Sequence, residues 1–224
     1  MSPTAPLHRY TLASPIGATG APTQDRKELR IALALVLAYV VANVIYGLIA
    51  QAPWDDDCVV RYFNTLKAWH DPAQLFNLWN RPLFVLLFAP AALLGKTAMM
   101  LQMVAISAGS GWILFLTLRR LGTPRAWMVL PSFFFQNYYF SISRDNLTEP
   151  LAVALICFGL HALVTRRWLL FALMGSLLPL ARLEISVVLP IWALILLWEK
   201  QWKYLAVLAV PTLLLMVGGY LVRD

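Results

Sequence analysis

The chain has 224 residues, 60% of them hydrophobic and 13% charged. That is about half the charge of an ordinary soluble domain and more apolar side chain than a soluble core of this length could bury, so a soluble globular fold is excluded. A net charge of +7 would point to nucleic acid in a soluble protein, but basic residues gathered at helix ends on one side of a membrane account for it, and no nucleic-acid partner is expected.

Residues 1–28 carry Pro3, Pro6, Pro15 and Pro22 among small polar residues, a composition that cannot repay the cost of ordering, and are expected to form a disordered cytoplasmic tail. Arg26, Lys27 and Arg30 then flank an apolar stretch, Leu29 to Ala50, long enough to span a bilayer as a signal-anchor. Ala50-Gln51-Ala52 resembles a signal-peptidase site, but the apolar core is too long and the leader too extended for a cleaved signal peptide.

Next comes Trp54-Asp55-Asp56-Asp57. Adjacent carboxylates repel one another and are comfortable only in water or beside a cation; Asp55 and Asp57 could share a hard divalent ion such as Mg or Mn, and Asp55 or Asp56 could deprotonate a hydroxyl. The plainer reading is that they cap a following helix, in which Cys58, Val59, Tyr62, Phe63, Leu66 and Trp69 make the apolar face.

The later apolar runs are 82–95, 97–118, 126–140, 147–164, 168–180, 185–198 and 202–222. If 82–95, opened by Pro82 and interrupted by Pro90, does not cross, 11 of 18 bases face the cytoplasm; if it crosses, only 8 of 18 do. The expected fold is therefore all-α, a polytopic transmembrane bundle spanning 29–224 with about seven crossings. Residues 51–96 form a long outer loop with a juxtamembrane helix and a re-entrant or surface helix. The crossings 168–180 and 185–198 are short for a full two-crossing hairpin.

Two more clusters fall on the outer face. In Arg144-Asp145-Asn146-Leu147-Thr148-Glu149-Pro150 the arginine could fork a phosphate while Asp145 or Glu149 holds a metal or a sugar hydroxyl; the plainer reading is a polar turn with Thr148 or Asn146 capping the helix that Pro150 opens. Arg182-Leu183-Glu184 is either a structural ion pair or part of a wet cavity, and Arg81 and Lys96 add bases beside the outer surface. The aromatic run Phe133–Phe140 fits an interfacial belt better than an isoprenoid groove. His161 reads as packed or hydrogen-bonded rather than catalytic, and two cysteines, Cys58 and Cys157, are too few for a disulfide framework or a cysteine metal site. No P-loop, dinucleotide turn, nucleophile elbow or zinc motif is present.

Taken in order, Asp55-Asp56-Asp57, Asn80-Arg81-Pro82-Leu83, Ser143 to Leu151 and Ala181-Arg182-Leu183-Glu184 resemble motifs of the GT-C class of polytopic glycosyltransferases, and of its bacterial mannosyl- and arabinosyltransferase-like members. Leu183 stands where many of those have proline. The resemblance covers about residues 29–200 and implies transfer of a sugar from a polyprenyl phosphate to a glycan, lipid or protein hydroxyl at the outer face of a bacterial inner membrane. It implies Asp55 or Asp56 as the base, a divalent metal in some branches, and Arg81, Arg144, Asp145, Glu149, Arg182 and Glu184 around the lipid phosphate and sugar. Members of the class generally continue with further helices, so this chain is either a piece of a longer protein or the helical module standing alone. Two rivals remain from other classes. One is a transporter or lipid flippase, which would place its charges nearer the midplane, and the other a non-catalytic scaffold subunit, which would need neither carboxylate cluster.

Overall fold

A computed structural model describes residues 22–50, 56–76 and 80–223. All of its regular structure among those residues is helical. Three segments, Arg26–Ile49, Lys96–Arg120 and Lys203–Tyr220, are helices long and apolar enough to cross a membrane. They belong to α1 (Pro22–Ala50), α4 (Lys96–Arg120) and α10 (Tyr204–Arg223). Shorter apolar helices are α3 (Pro82–Leu93), α7 (Glu149–Val164), α8 (Trp168–Ala181) and α9 (Leu189–Trp198), the last continuing a 3-10 turn, Leu183–Val188. Polar-faced α2 (Asp56–Lys67) and the stubs α5 (Val129–Phe134) and α6 (Asn137–Ile142) complete the set.

The helices pack as a row, α1 on α4, α4 on α7, α7 on α8 and α8 on α10. Between them lies a core of Phe84, Phe88, Met99, Met103, Leu178 and Leu196, with a second cluster around Tyr39, Phe115, Leu130 and Phe134. On the outside, Leu33, Leu37, Val41 and Ile45 of α1 and Leu213, Leu214 and Val217 of α10 stay exposed, a hydrocarbon surface that suits lipid and not water.

The two ends of the row differ in chemistry. At one end α4, α7 and α9 finish in the same way, with a pair of backbone bonds closing the last turn. These are Gly122 N to Arg119 O and Thr123 N to Leu118 O, Arg166 N to Leu163 O and Arg167 N to Ala162 O, and Lys200 N to Leu197 O and Gln201 N to Leu196 O. Ala126, just after Arg125, packs in one cluster with Ala32 near the start of α1. The expected cytoplasmic clusters Arg119/Arg120/Arg125, Arg166/Arg167 and Lys200/Lys203 therefore gather at the end of the row where α1 begins.

The left-handed residue that closes each turn is Gly122 (φ 73°) in α4, Arg166 (φ 55°) in α7 and Lys200 (φ 58°) in α9. Only glycine adopts that conformation without a steric cost. Lys200→Gly is accordingly expected to raise stability by about 0.5–1 kcal/mol, the relief being partly offset by a looser unfolded chain, and a rise in melting temperature in detergent checks it.

At the opposite end α3 begins and finishes without leaving. Arg81, before its first residue, is paired with Glu184 beyond the end of α8, and Lys96, just after it, opens α4 where Met100 lies against Gly47 late in α1. Pro82 starts the helix and Pro90 interrupts its hydrogen bonding, and its 12 residues extend about 18 Å.

Four sequence expectations are revised. α1 starts at Pro22, so 22–28 is helical where a disordered tail was expected; proline is tolerated in a first helical turn. The run 126–140 is not one helix: a 3-10 turn, Ala126–Met128, leads into α5, and the chain breaks at Phe135–Gln136 before α6, where the Gln136 side chain accepts from the Tyr139 N–H. The aromatic residues there divide accordingly. Phe134 is fully buried and stacked on Tyr39, centroids 4.1 Å apart, and Tyr139 is buried, whereas Phe135 and Tyr138 face outward. On α2 the buried face is Cys58, Tyr62, Thr65 and Leu66 rather than the full apolar stripe; Phe63 stands exposed, as does Trp69 just beyond the helix, its Nε1 donating to Ala89 O at 3.1 Å.

Candidate functional site

Three segments far apart in sequence meet at the end opposite the basic clusters. Arg81, in the left-handed region (φ 56°, ψ 87°), turns the chain into α3, and its carbonyl accepts from Phe84 N at 2.8 Å and Val85 N at 3.2 Å. Its Nη2 donates to Glu184 Oε1 at 2.8 Å, bridging 103 residues. Arg182 is the extended residue (φ −157°, ψ 113°) beyond α8, and it contacts both carboxylates: an ion pair joins it to Glu149 at the start of α7, and its Nε lies 3.6 Å from Glu184 Oε2.

The result is an alternating chain of charges, Arg81–Glu184–Arg182–Glu149. Three of its members are shielded, with side-chain exposures of 14% for Arg81, 24% for Glu149 and 29% for Arg182, while Glu184 at 58% forms the open side. The Glu184 carboxyl is held below the usual carboxylate range, first by its own backbone N–H and then by Arg81 and Arg182. The two arginine charges are matched by two carboxylates, so the network is neutral overall, and an anion reaches the guanidiniums where the exposed Glu184 gives way to it.

Arg81 is positioned by a polar ladder that begins on α2. Asn64 Nδ2 donates to Asn80 Oδ1 at 2.6 Å, Asn80 Nδ2 donates to Gln74 Oε1 at 2.9 Å, and Gln74 Nε2 donates to Asp71 Oδ2 at 2.7 Å. Asn80 is buried, so its amide is fixed by partners rather than by water. The signal for this role in the sequence is an amide directly before a charged residue at a helix start.

Arg144 stands apart from this network. It is nine-tenths buried, its Nη1 donates to Phe140 O at 2.9 Å and lies 3.5 Å from Asn43 Oδ1, and its guanidinium sits over the Tyr46 ring at 4.2 Å. The forked phosphate contact expected of it is replaced by a clamp between α1 and α6, because two aromatic rings and Asn43 enclose the guanidinium. Asn43, a polar residue inside the first span, was the sequence signal for this partner. The half-buried Asp145 follows at the same turn, its N–H bonded to Ile142 O at 3.1 Å.

The turn 143–148 then runs inward to Glu149. Ser143, Asn146 and Thr148 are wholly buried, and neither the Asn146 amide nor the Thr148 hydroxyl has a hydrogen-bond partner. The expected capping by either residue is absent, since Thr148 occupies the cap position with helical backbone angles (φ −88°, ψ −12°) that turn its hydroxyl away from the N–H groups it would cap. Buried, unpartnered polar atoms beside Glu149 are where water or a ligand hydroxyl would be held.

Asp56 and Asp57 occupy the exposed first turn of α2, and Asp57 lies 3.7 Å from Arg61 one turn on. Asp55 lies outside the described residues. Among the described residues no three acidic, histidine or cysteine side chains gather in a group able to hold a metal ion, so Asp57 has no described partner for the ion expected of it. Comparison of the chain with protein-family models, curated proteins and solved structures found no match.

Of the residues singled out from sequence, Arg81, Glu184, Arg182 and Glu149 are joined in one chain of contacts, Arg144 and Asp145 lie in the turn that leads to Glu149, and Asp56 and Asp57 begin the helix whose ladder positions Arg81. His161 behaves as expected, its Nδ1 3.0 Å from Thr117 Oγ1 between α7 and α4.

Proposed function

We propose that this protein is a polytopic membrane glycosyltransferase, resembling the GT-C class, that moves a sugar from a polyprenyl phosphate to an acceptor hydroxyl at the end of the bundle carrying the Arg81–Glu184–Arg182–Glu149 network. The observation that carries the reading is that network: residues from three separate outer-face motifs, picked out by their order in the sequence, are in direct contact. In the accompanying topology the N-terminus and the basic end lie in the cytoplasm of a bacterial inner membrane, α3 stays in the outer leaflet, and about seven segments cross.

Arg81 and Arg182 hold the donor phosphate as it takes the place of the exposed Glu184 carboxylate, while Glu149 stays paired with Arg182 and orients it. Glu149 and the buried amide and hydroxyl of 143–148 accept and donate hydrogen bonds to the sugar. Asp55 or Asp56 takes the proton of the acceptor hydroxyl as its oxygen bonds to the anomeric carbon, and the bond from that carbon to the phosphate oxygen breaks with the electron pair leaving on the polyprenyl phosphate. The arginines stabilise the charge that develops there. A divalent ion would add to that stabilisation, but the described residues offer no ligand set for it and no step is assigned to one.

The test is sugar transfer by purified protein from a labelled polyprenyl-phosphate sugar. The double replacement Asp55→Asn/Asp56→Asn is expected to lower turnover by about a hundredfold to ten-thousandfold. Undiminished transfer would remove the proposed base, and no transfer by the wild-type chain with any such donor would remove the assignment.

A further inference from the structure

The basic end contains a cavity of about 870 Å³ that the transfer chemistry does not use. It lies where α4, α7, α8 and α9 end or begin. Arg120, Arg166, Arg167 and Glu199 line its mouth, and Leu163, Ile191, Leu194 and Trp198 are among its apolar walls. Ile191, Leu194 and Trp198 are 56%, 64% and 85% exposed, so the apolar side opens toward whatever surrounds the helices. Arg166 is engaged by Glu199 at 3.5 Å, which leaves Arg120 and Arg167 to set the charge of the mouth.

This combination selects its occupant by chemistry. A dissolved anion would find the arginines but gain nothing from hydrocarbon walls, and an uncharged lipid would fill the walls without answering the arginines. We infer that the cavity holds one anionic phospholipid of the adjoining leaflet, its phosphate and headgroup against Arg120 and Arg167 and the upper part of an acyl chain along Ile191, Leu194 and Trp198. Basic pockets between helices at a cytoplasmic membrane surface take anionic headgroups in this way, and the volume is of ligand-pocket size. Because α7, α8 and α9 all border the cavity, the bound lipid ties together at this end the same helices that carry Glu149, Arg182 and Glu184 at the other.

The experiment uses the full chain in nanodiscs of phosphatidylcholine containing a minority of phosphatidylglycerol, with retained lipids counted by native mass spectrometry after gentle release. One phosphatidylglycerol per chain is expected to be retained in preference to phosphatidylcholine. Arg120→Gln/Arg167→Gln should reduce that preference by about thirtyfold for the two charges, and Arg120→Lys/Arg167→Lys should keep most of it. Leu194→Trp, which crowds the apolar wall and leaves every charge in place, should lower retention. Equal retention of the two lipids by wild type, a preference that survives the glutamine pair, retention undiminished by Leu194→Trp, or displacement of the lipid by dissolved inorganic phosphate would overturn the assignment. Should the glutamine pair fail to fold, the wild-type selectivity and the phosphate competition decide it alone.

Discussion

Arg182→Ala is expected to abolish sugar transfer, by about a hundredfold or more, and to lower stability by about 2–3 kcal/mol. The two effects have one cause. Arg182 contacts both Glu149 and Glu184, and its removal leaves Glu149, three-quarters buried, without the ion pair that offsets its desolvation. Breaking a fully buried pair costs about 3–5 kcal/mol, and the partial exposure here places the expectation below that range. Arg182→Lys restores charge but not reach, since a single ammonium cannot serve two carboxylates and a donor phosphate from a guanidinium's fixed fork; most of the stability and little of the activity should return. Melting temperature in detergent and turnover on a labelled donor separate the two readouts. A fall in stability with transfer intact would leave the network a purely structural clamp.

The parts of this architecture that depend on bulk hydropathy were legible in the sequence. Runs of apolar residues located α1, α4 and α10. What escaped depends on single polar residues inside apolar runs. Gln136 breaks 126–140 by capping α6, and hydropathy averaged over a window cannot register one amide. Asn43 was overlooked inside the first span for the same reason, and with it the partner that turns Arg144 from a free fork into an interhelical clamp.

The candidate site was legible as a set of motifs but not as a set of contacts. Composition marked Arg81, Glu149, Arg182 and Glu184 as costly at a membrane surface and so in need of partners. Which acid each base meets depends on how α3, α7 and α8 pack, and one chain position of slip along α8 would exchange Arg182 for an apolar neighbour. The ladder Asn64–Asn80–Gln74–Asp71 was invisible for a related reason: its members read as three ordinary surface amides and an acid until α2 folds against α3.

The largest loss of stability should come from a residue outside any motif. Trp192, 5% exposed, lies parallel to Phe171 with centroids 5.0 Å apart, and its Nε1 donates to Phe171 O at 3.0 Å. It wedges α9 against α7 and α8 at two glycines: a Cβ on Gly159 would stand 2.8 Å from the ring, and one on Gly175 would stand 2.5 Å from it. Trp192→Ala is therefore expected to cost about 3–5 kcal/mol, from lost burial and the cavity left between three helices, and Trp192→Phe about 1–2 kcal/mol, since stacking survives while the indole bond does not. Gly175→Val should destabilise by about 1–3 kcal/mol through overpacking against a ring that Phe171 holds in place. The two changes share one space, so Gly175→Val should cost far less once Trp192 is alanine, and a double-mutant cycle on melting in detergent reads that coupling. Because α9 continues the 3-10 turn that carries Glu184, loosening the wedge should also slow sugar transfer from a distance. Strict additivity of the two substitutions would mean that α8 and α9 are held together by something other than this indole.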